Sequence, residues 1–388
     1  MITRELLPKA DAMLQKYPLI AVTGPRQSGK TTFCKQLRPD YQYLNMELPE
    51  NREFAERDPH HFLQTYQGGV ILDEVQNVPT LFSYLQYYTD TRGKTGEYIL
   101  SGSQNFLLLE KITQSLAGRI AIFHLLPFSL HELESAHLLG QMWEEHLVSG
   151  FYPRLYDKQL SPPEFYPDYI LTYAERDVRQ VINVQDLGQF QQFMRLCAGR
   201  TGQLVNLSQM GNEIGLDQRT VRNWLSILEA SFIVYLLRPF HRNFEKRVVK
   251  TPKLYFYDTG LASWLLGIRA QQDLDVHFAR GSLFENFVIN EMLKNHWNQG
   301  IKPDLYFWRD SNANEIDLLI ENGLQLDAIE IKAGKTIQSD FFKNLDRFQQ
   351  VSNQLARPWV VYGGDQMQQR SQATVLDWRR LGKVMERL

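Results

Sequence analysis

Leu19 to Thr32 reads LIAVTGPRQSGKTT. Leu19 to Val22 is apolar and rich in strand formers, and the chain then breaks at Gly24 into a polar loop that ends Gly29-Lys30-Thr31. The pattern is G-x-x-x-x-G-K-[ST], set between an expected strand and an expected helix. Glycines let successive backbone N–H groups point into such a loop, and the helix that follows turns its positive end toward the same place. Gly24, Pro25, Arg26, Gln27, Ser28, Gly29, Lys30, Thr31 and Thr32 are therefore the expected phosphate-binding residues. Lys30 is expected to reach the β- and γ-phosphates of ATP, and Thr31 to put its hydroxyl on Mg²⁺.

The 388 residues exceed what one hydrophobic core usually organises, so two to four domains are expected. With 43% hydrophobic and 22% charged residues, the composition is that of an ordinary globular chain. A net charge of -2 gives no global pull toward nucleic acid, so such binding needs a local basic patch. The two cysteines, Cys34 and Cys197, are far apart and in no metal-ligand spacing, which fits a reducing cytoplasm. The first residues, MITRELLPKA, lack a signal-peptide core, and no apolar run approaches the ~20 residues that span a bilayer. A cytoplasmic protein with no membrane partner is expected.

Around the loop, residues 4 to 17 show helical spacing, and Thr32 to Leu37 continues as a helix that stops near Pro39. Tyr41 to Leu44 reads as a strand, and Asn51 to Tyr66 as a helical surface stretch. Gly69 to Glu74, GVILDE, is an apolar run ending in two carboxylates. Asp73 is expected to hold Mg²⁺ and Glu74 to polarise the water that attacks the γ-phosphate; otherwise this is a buried strand ending in a polar turn. Tyr98 to Gly102, YILSG, is a further strand, which suggests an extra strand between the loop strand and the carboxylate strand. Ser103 or Gln104 at its tip would sense the γ-phosphate or orient the water, unless either caps the next helix. Gly118-Arg119 stands between a helix-like pattern and the strand Ile120 to Leu125. An arginine there suits insertion into a neighbouring subunit's site, which would make the protein a homo-oligomer; a charge favourable to a helix C-terminus explains it as well.

Pro127 to Val148 looks like a small helical lid, and Gly150 to Pro167, rich in Pro and aromatics, reads as a connection. Asp168 to Val184 is expected to be helical, with a second candidate arginine, Arg176, that surface ion pairing also explains. Leu207 to Ile214 stops at Gly215, and Asp217 caps a run containing Val221, Trp224, Leu225, Leu228 and Phe232, the outline of a helix-turn-helix. Its other face carries Gln218, Arg219, Arg222 and Asn223, suited to phosphates or base edges. Arg238 to Lys253 holds six Lys/Arg against one acid, Glu245, with aromatics interleaved. That suits the wing of a winged helix binding DNA, or a module that only packs against its neighbours.

In the last part, Gly281 to Asn298 is a strong helix with Glu285 near its start, and three strand-like segments follow: Leu305 to Trp308, Glu315 to Ile320 and Leu324 to Ala333. Glu321-Asn322-Gly323 joins the last two as a hairpin turn. By strand period two, Glu330 and Lys332 share one face, opposite Asp317 of the neighbouring strand. Charges placed so among aliphatics are unfavourable unless paired or bound to metal. Glu285, Asp317, Glu330 and Lys332 thus form a constellation, D-x12-E-x-K with a helical glutamate: a metal site or a buried ion-pair network.

That spacing, with a helix over Asp340 to Val351 and a strand over Pro358 to Tyr362, resembles the PD-(D/E)XK nuclease core. The stretches GPRQSGKTT, ILDEVQNVP, LSGSQNF, AGR, LPFSLHEL, YAERDV, FYDTGLASWLLG, GSLFENFV, FWRDSNANEIDLLIE and IEIKAGK together resemble the prokaryotic AAA-type ATPases with a C-terminal domain of unknown function and nuclease-like core. The resemblance implies ATP binding at Gly24, Gly29, Lys30 and Thr31, with Asp73 and Glu74 on the metal and water. It implies a nuclease-like site in which Glu285, Asp317 and Glu330 hold Mg²⁺ and Lys332 positions the attacking water. The expected fold class is α/β in four parts: a P-loop AAA-like domain with a parallel sheet over 1–127, a helical lid over 128–189, a winged helix-turn-helix over 190–268, and a nuclease-like α/β domain over 269–388. The expected function is that of an ATP-driven switch or motor acting on nucleic acid. The alternative is a regulatory signalling or toxin-type ATPase whose C-terminal domain is an inactive protein-interaction platform.

Overall fold

Strand β1, Leu19–Thr23, is buried at every residue, as a parallel strand covered on both faces must be. In the computed structural model, which describes residues 2–102, 108, 112, 114–173, 187–240, 249–323, 325–352 and 356–385, it is joined by β2 (Gln42–Asn45), β3 (Val70–Asp73), β4 (Tyr98–Gly102) and β5 (Ile120–His124). Among the described residues the order is β2-β3-β4-β1-β5, every pairing parallel. The extra strand expected between loop strand and carboxylate strand is therefore β4. Period two divides the core: Leu19, Ala21, Leu72 and Leu100 face one cluster with Phe62, Phe82 and Leu85, whereas Ile20, Val22, Ile71 and Ile99 face another with Leu6, Ala10 and Phe33.

Contacts divide the chain into two units: residues Met1–Phe128 with Ala230–Phe232 and His296–Ile301, and the remainder. Within the first, the stretch expected to be helical over 51–66 is made of two helices, Pro49–Arg57 and Pro59–Thr65. Asp58 breaks it by capping the second, accepting the His61 N–H at 3.0 Å, and Pro59 supplies a fixed φ where no N–H is needed.

The second unit holds β6 (Val234–Pro239), β7 (Lys253–Phe256), β8 (Leu305–Arg309), β9 (Glu315–Asn322), β10 (Gln325–Lys332), β11 (Ala356–Tyr362), β12 (Gln368–Gln369) and β13 (Thr374–Asp377). They lie in the order β12-β13-β11-β10-β9-β8-β6-β7. β8, β9 and β10 form an antiparallel meander, with Asn322 opposite Gln325 at the hairpin. The chain returns through the Lys343–Val351 helix to β11, parallel to β10. Hairpin β6–β7 is antiparallel, and β6 joins β8 at Arg238 and Pro239, so it belongs to the same sheet. Before it stand Leu207–Ile214, capped by Asn206 and stopped by Gly215 at φ 70, and Gln218–Ala230, capped by Asp217, which accepts the Arg219 and Thr220 N–H groups at 2.8 and 3.0 Å. Val221, Trp224, Leu225 and Leu228 are buried, and Gln218, Arg219, Arg222 and Asn223 are exposed. Residues 241–248 of the expected wing, and Arg176, lie outside the described residues.

Gly150 to Pro167 is not the expected connection: it holds the helices Pro153–Asp157 and the start of Pro162–Tyr173. Pro153 and Pro162 do not break the chain but open helices, where a missing N–H is harmless. Asp258 fixes this region. Fully buried at the N-cap of Thr259–Leu265, it accepts the Leu261 and Phe151 N–H groups, each at 2.8 Å, and the Tyr166 hydroxyl at 2.7 Å. No helix among the described residues is long and apolar enough to cross a membrane.

Asp258→Ala removes the acceptor of the buried Phe151 and Leu261 N–H groups and leaves the Tyr166 hydroxyl only the Ser149 carbonyl at 3.0 Å, and is expected to destabilise the second unit by roughly 3 kcal/mol. Urea unfolding followed by tryptophan fluorescence checks this; an unshifted transition would contradict the role assigned to Asp258.

Candidate ATP site and carboxylate cluster

The loop after β1 needs Gly24: at its φ of 149 a Cβ would stand 2.2 Å from the carbonyl oxygen of Leu125, the residue after β5. Gly29, left-handed at φ 91, starts the Lys30–Leu37 helix, so the helix N-terminus faces into the loop. Lys30 is 7% exposed, and its ammonium donates to the carbonyls of Gly24 at 3.0 Å and Pro25 at 2.8 Å. Burial pulls its pKa down to about 8, against the opposing pull of Glu74 and Asp73. The Ser28 hydroxyl is buried with no partner among the described residues. A buried ammonium, an unused hydroxyl and a helix N-terminus converging on a glycine-bounded loop fit a phosphate ligand that brings only acceptors.

Asp73 ends β3 beside β4, and its carboxylate accepts from three hydroxyls. Thr31 Oγ1 and Tyr43 OH donate to Oδ2 at 2.8 and 2.7 Å, and Ser101 Oγ donates to Oδ1 at 2.5 Å. Thr31 and Asp73 are thus within one hydrogen bond of each other, an oxygen pair suited to Mg²⁺. Glu74 follows at φ 54 and accepts from Gln76 Nε2 at 2.5 Å. The Gln76 side-chain oxygen is buried without a partner among the described residues, and a Cβ at Gly102 would come 2.3 Å from it.

Lys30, Thr31, Asp73 and Glu74 therefore come together as expected, whereas Ser103 and Gln104 lie outside the described residues. Arg119 is not at this chain's own loop. It precedes Ile120, which pairs with Leu19 at the far end of β1, and grips Asp90 through Nε at 2.6 Å and an NH2 contact at 2.8 Å. Sequence reading missed Tyr43, Gln76 and Arg4. The buried Arg4 guanidinium donates to the carbonyls of Ser28 at 2.9 Å and Leu126 at 2.6 Å, bracing the loop.

In the second unit, Asp317 and Glu330 share the Lys332 ammonium, at 3.8 and 2.6 Å. Asp317 also accepts the Ile331 N–H at 2.7 Å, and Asn344 donates to Glu330 at 3.0 Å. Burial, reinforced by the Asp317 charge, pushes Glu330 up to about 8. For Lys332 burial works against the charge, but Asp317 and Glu330 outweigh it and raise the ammonium's pKa. Glu285 stands with Glu315 and Asp317, their oxygens within 4.8 Å of one another. Its Oε1 accepts from Lys253 at 3.1 Å and from the Tyr255 hydroxyl. Lys253 also bonds Glu315, whose other oxygen takes Arg309 at 3.2 Å. This corrects the reading of Lys253 as part of a basic wing: it is buried, at 2% exposure, and with the buried Tyr255 it faces the carboxylates. Glu315 was missed, although period two puts it on the face of Asp317.

Residues 16–134 match the family described as AAA domain. With the loop, the Thr31–Asp73 pair and the all-parallel sheet, the match makes the first unit an AAA-type P-loop ATPase domain, and ATP binding and hydrolysis the activity of its class. Residues 140–272 and 280–381 match two domains of unknown function, DUF8612 and DUF4143. The chain is 28% identical over 366 residues to an uncharacterized protein of Mycobacterium tuberculosis and, to the same degree, to one of Mycobacterium bovis; each match covers 93% of this chain and 80% of the relative. Among solved structures it is similar to a Walker-type ATPase of Pyrococcus abyssi, at 14% identity and a TM-score of 0.46, over 68% of this chain and 96% of that one. It is also similar to domain III of the Thermotoga maritima replication initiation protein, at 15% identity and a TM-score of 0.26, over 57% and 88%.

Lys30→Ala removes the ammonium from the loop and is expected to weaken ATP binding by about 100-fold, equivalent to roughly 3 kcal/mol; isothermal titration measures it. In the native protein, affinity should fall as pH rises through about 8, because Lys30 loses its proton there in the free site. The loss should approach about tenfold per unit above that point. A flat affinity between pH 7 and 9.5 would contradict this account of Lys30.

Proposed function

We propose that this protein is an ATP-driven switch or motor that acts on nucleic acid, with Mg²⁺-ATP turned over in the first unit and a metal-dependent, nuclease-like site in the second. In the ATP site, Lys30 and the loop N–H groups bind the phosphates, and Thr31 and Asp73 would hold Mg²⁺. The ion supplies charge neutralisation at the transferred phosphoryl group. Glu74, fixed by Gln76, orients and deprotonates the attacking water, while Tyr43 and Ser101 hold Asp73 in its rotamer. Arg119, remote from its own loop, serves a neighbouring copy's site, and the protein works as a homo-oligomer.

The observation that carries the nucleic-acid reading is the Asp317–Lys332–Glu330 group, two buried carboxylates sharing one ammonium at 3.8 and 2.6 Å. The antiparallel meander, returning helix and parallel β11 behind it support a PD-(D/E)XK-like core. Asp317 and Glu330 would hold a divalent ion, with Glu285 beside them; the ion supplies polarisation of a phosphodiester. Lys332 positions the water that attacks phosphorus, and Asn344 steadies Glu330. The capped helix pair with exposed Arg219 and Arg222 supports a winged helix-turn-helix, and Arg238 and Lys250 line a cleft with Phe240 and Tyr306, suited to backbone phosphates.

Purified protein incubated with Mg²⁺ or Mn²⁺ and single- and double-stranded DNA and RNA, with and without ATP, tests this reading. Binding or cleavage of at least one form is expected, and neither with any form contradicts it. Asp317→Asn and Lys332→Ala should each abolish cleavage while ATP hydrolysis persists. Glu74→Gln should still bind ATP but turn it over at least about 100-fold more slowly; hydrolysis at the native rate would remove Glu74 from the role of base.

A further inference from the structure

Four carboxylates of the second unit, Glu285, Glu315, Asp317 and Glu330, are drawn together with three cations of the chain, Lys253, Lys332 and Arg309. The cations are unevenly placed. Lys253 stands between Glu285 and Glu315, held by both, while the Tyr255 hydroxyl donates to Glu285 and Arg309 takes the outer oxygen of Glu315. That side of the cluster is neutralised and its donors are satisfied. On the other side, Glu330 is 1% exposed, and its Oε2 has no hydrogen-bond partner among the described residues, although its Oε1 takes both Lys332 and Asn344. An unused, buried oxygen on the carboxylate that shares Lys332 with Asp317 is a ligand atom without a ligand.

We infer that Lys253 is a built-in cation that fills the Glu285–Glu315 half of the cluster, so that the site takes a single divalent ion, on the Asp317–Glu330 side. The inference rests on the metal-site reading above and adds to it how many ions bind and which residue limits the number. An ammonium fixed between two carboxylates uses the oxygens a second ion would need and repels an ion placed against it. A two-metal site needs ions about 3.5–4 Å apart, with carboxylates bridging them. Here the residue at the second position is a lysine from β7, delivered by the β6–β7 hairpin at the end of the same sheet. Lys253 is thus a positioning residue: it directs the ion to Asp317 and Glu330 and away from Glu285.

The test uses the full chain, free of nucleotide, titrated with Mn²⁺ and followed by electron paramagnetic resonance. Ions of the cluster are counted as those lost on Asp317→Asn, which leaves the Thr31–Asp73 pair untouched. The native protein is expected to bind one such ion with an isolated six-line spectrum. Lys253→Arg, which keeps the charge, should bind one as well. Lys253→Met should gain a second ion, with a spin-coupled spectrum. Two coupled ions in the native protein, or a single ion in folded Lys253→Met, would overturn the role of Lys253 while leaving the metal site standing. No Asp317-dependent ion in any form would overturn the metal site itself, and the inference with it. If Lys253→Met does not fold, the native count and the Lys253→Arg count decide between one ion and two.

Discussion

The hydrogen bond from the Thr31 hydroxyl to the Asp73 carboxylate, 2.8 Å long, is the contact on which the first unit depends. It forms only if the helix after the loop and the end of β3 reach the same level, although β4 separates β3 from β1. Parallel register provides that: Val22 lies opposite Ser101, and Ser101 opposite Asp73, so the three strands end together. Ser101 uses its place in the middle to fix the second oxygen of Asp73. The fold thereby brings a lysine, two carboxylates and a threonine from distant parts of the sequence to one edge of the sheet. Ligands of open parallel sheets bind at the carboxyl ends of the strands for this reason.

The second unit solves a different problem. Its sheet carries acidic side chains on a face that is mostly withdrawn from water, and isolated charges there are unfavourable by several kcal/mol each. The chain meets this with cations drawn from three separate segments: Lys253 from the hairpin, Arg309 from β8 and Lys332 from β10. Among the described residues compensation is incomplete at Glu330, whose Oε2 meets no donor, and on the proposed metal-site reading this is where the cation enters.

What could be read in the sequence follows the range of the interactions. The phosphate loop is local, so LIAVTGPRQSGKTT announced strand, loop and helix together, and GVILDE with YILSG announced the inserted strand. Arg4, Tyr43 and Gln76 gave no such signal, because Arg4 meets Leu126 and Tyr43 meets Asp73 only after folding. The carboxylate constellation was legible through strand period two, which also places Glu315 on the face of Asp317. Lys253 was hidden in a basic run that suited a wing, and only the pairing of β7 beside β6 carries it inward. Prolines misled for a similar reason: a proline that opens a helix and one that breaks it are the same letter until the N–H it lacks is located.

On the function proposed above, one chain carries two cation-dependent sites of different make, one organised by nucleotide phosphates and one by carboxylates. A crystal soaked with Mn²⁺ and a non-hydrolysable ATP analogue, and examined by anomalous scattering, tests it most directly. One peak is expected within about 2.0–2.3 Å of Thr31 Oγ1, at coordination distance and facing Asp73, and a second between Asp317 and Glu330. Intact Lys332 ion pairs at Asp317 and Glu330, with no peak between them at saturating Mn²⁺, would contradict it.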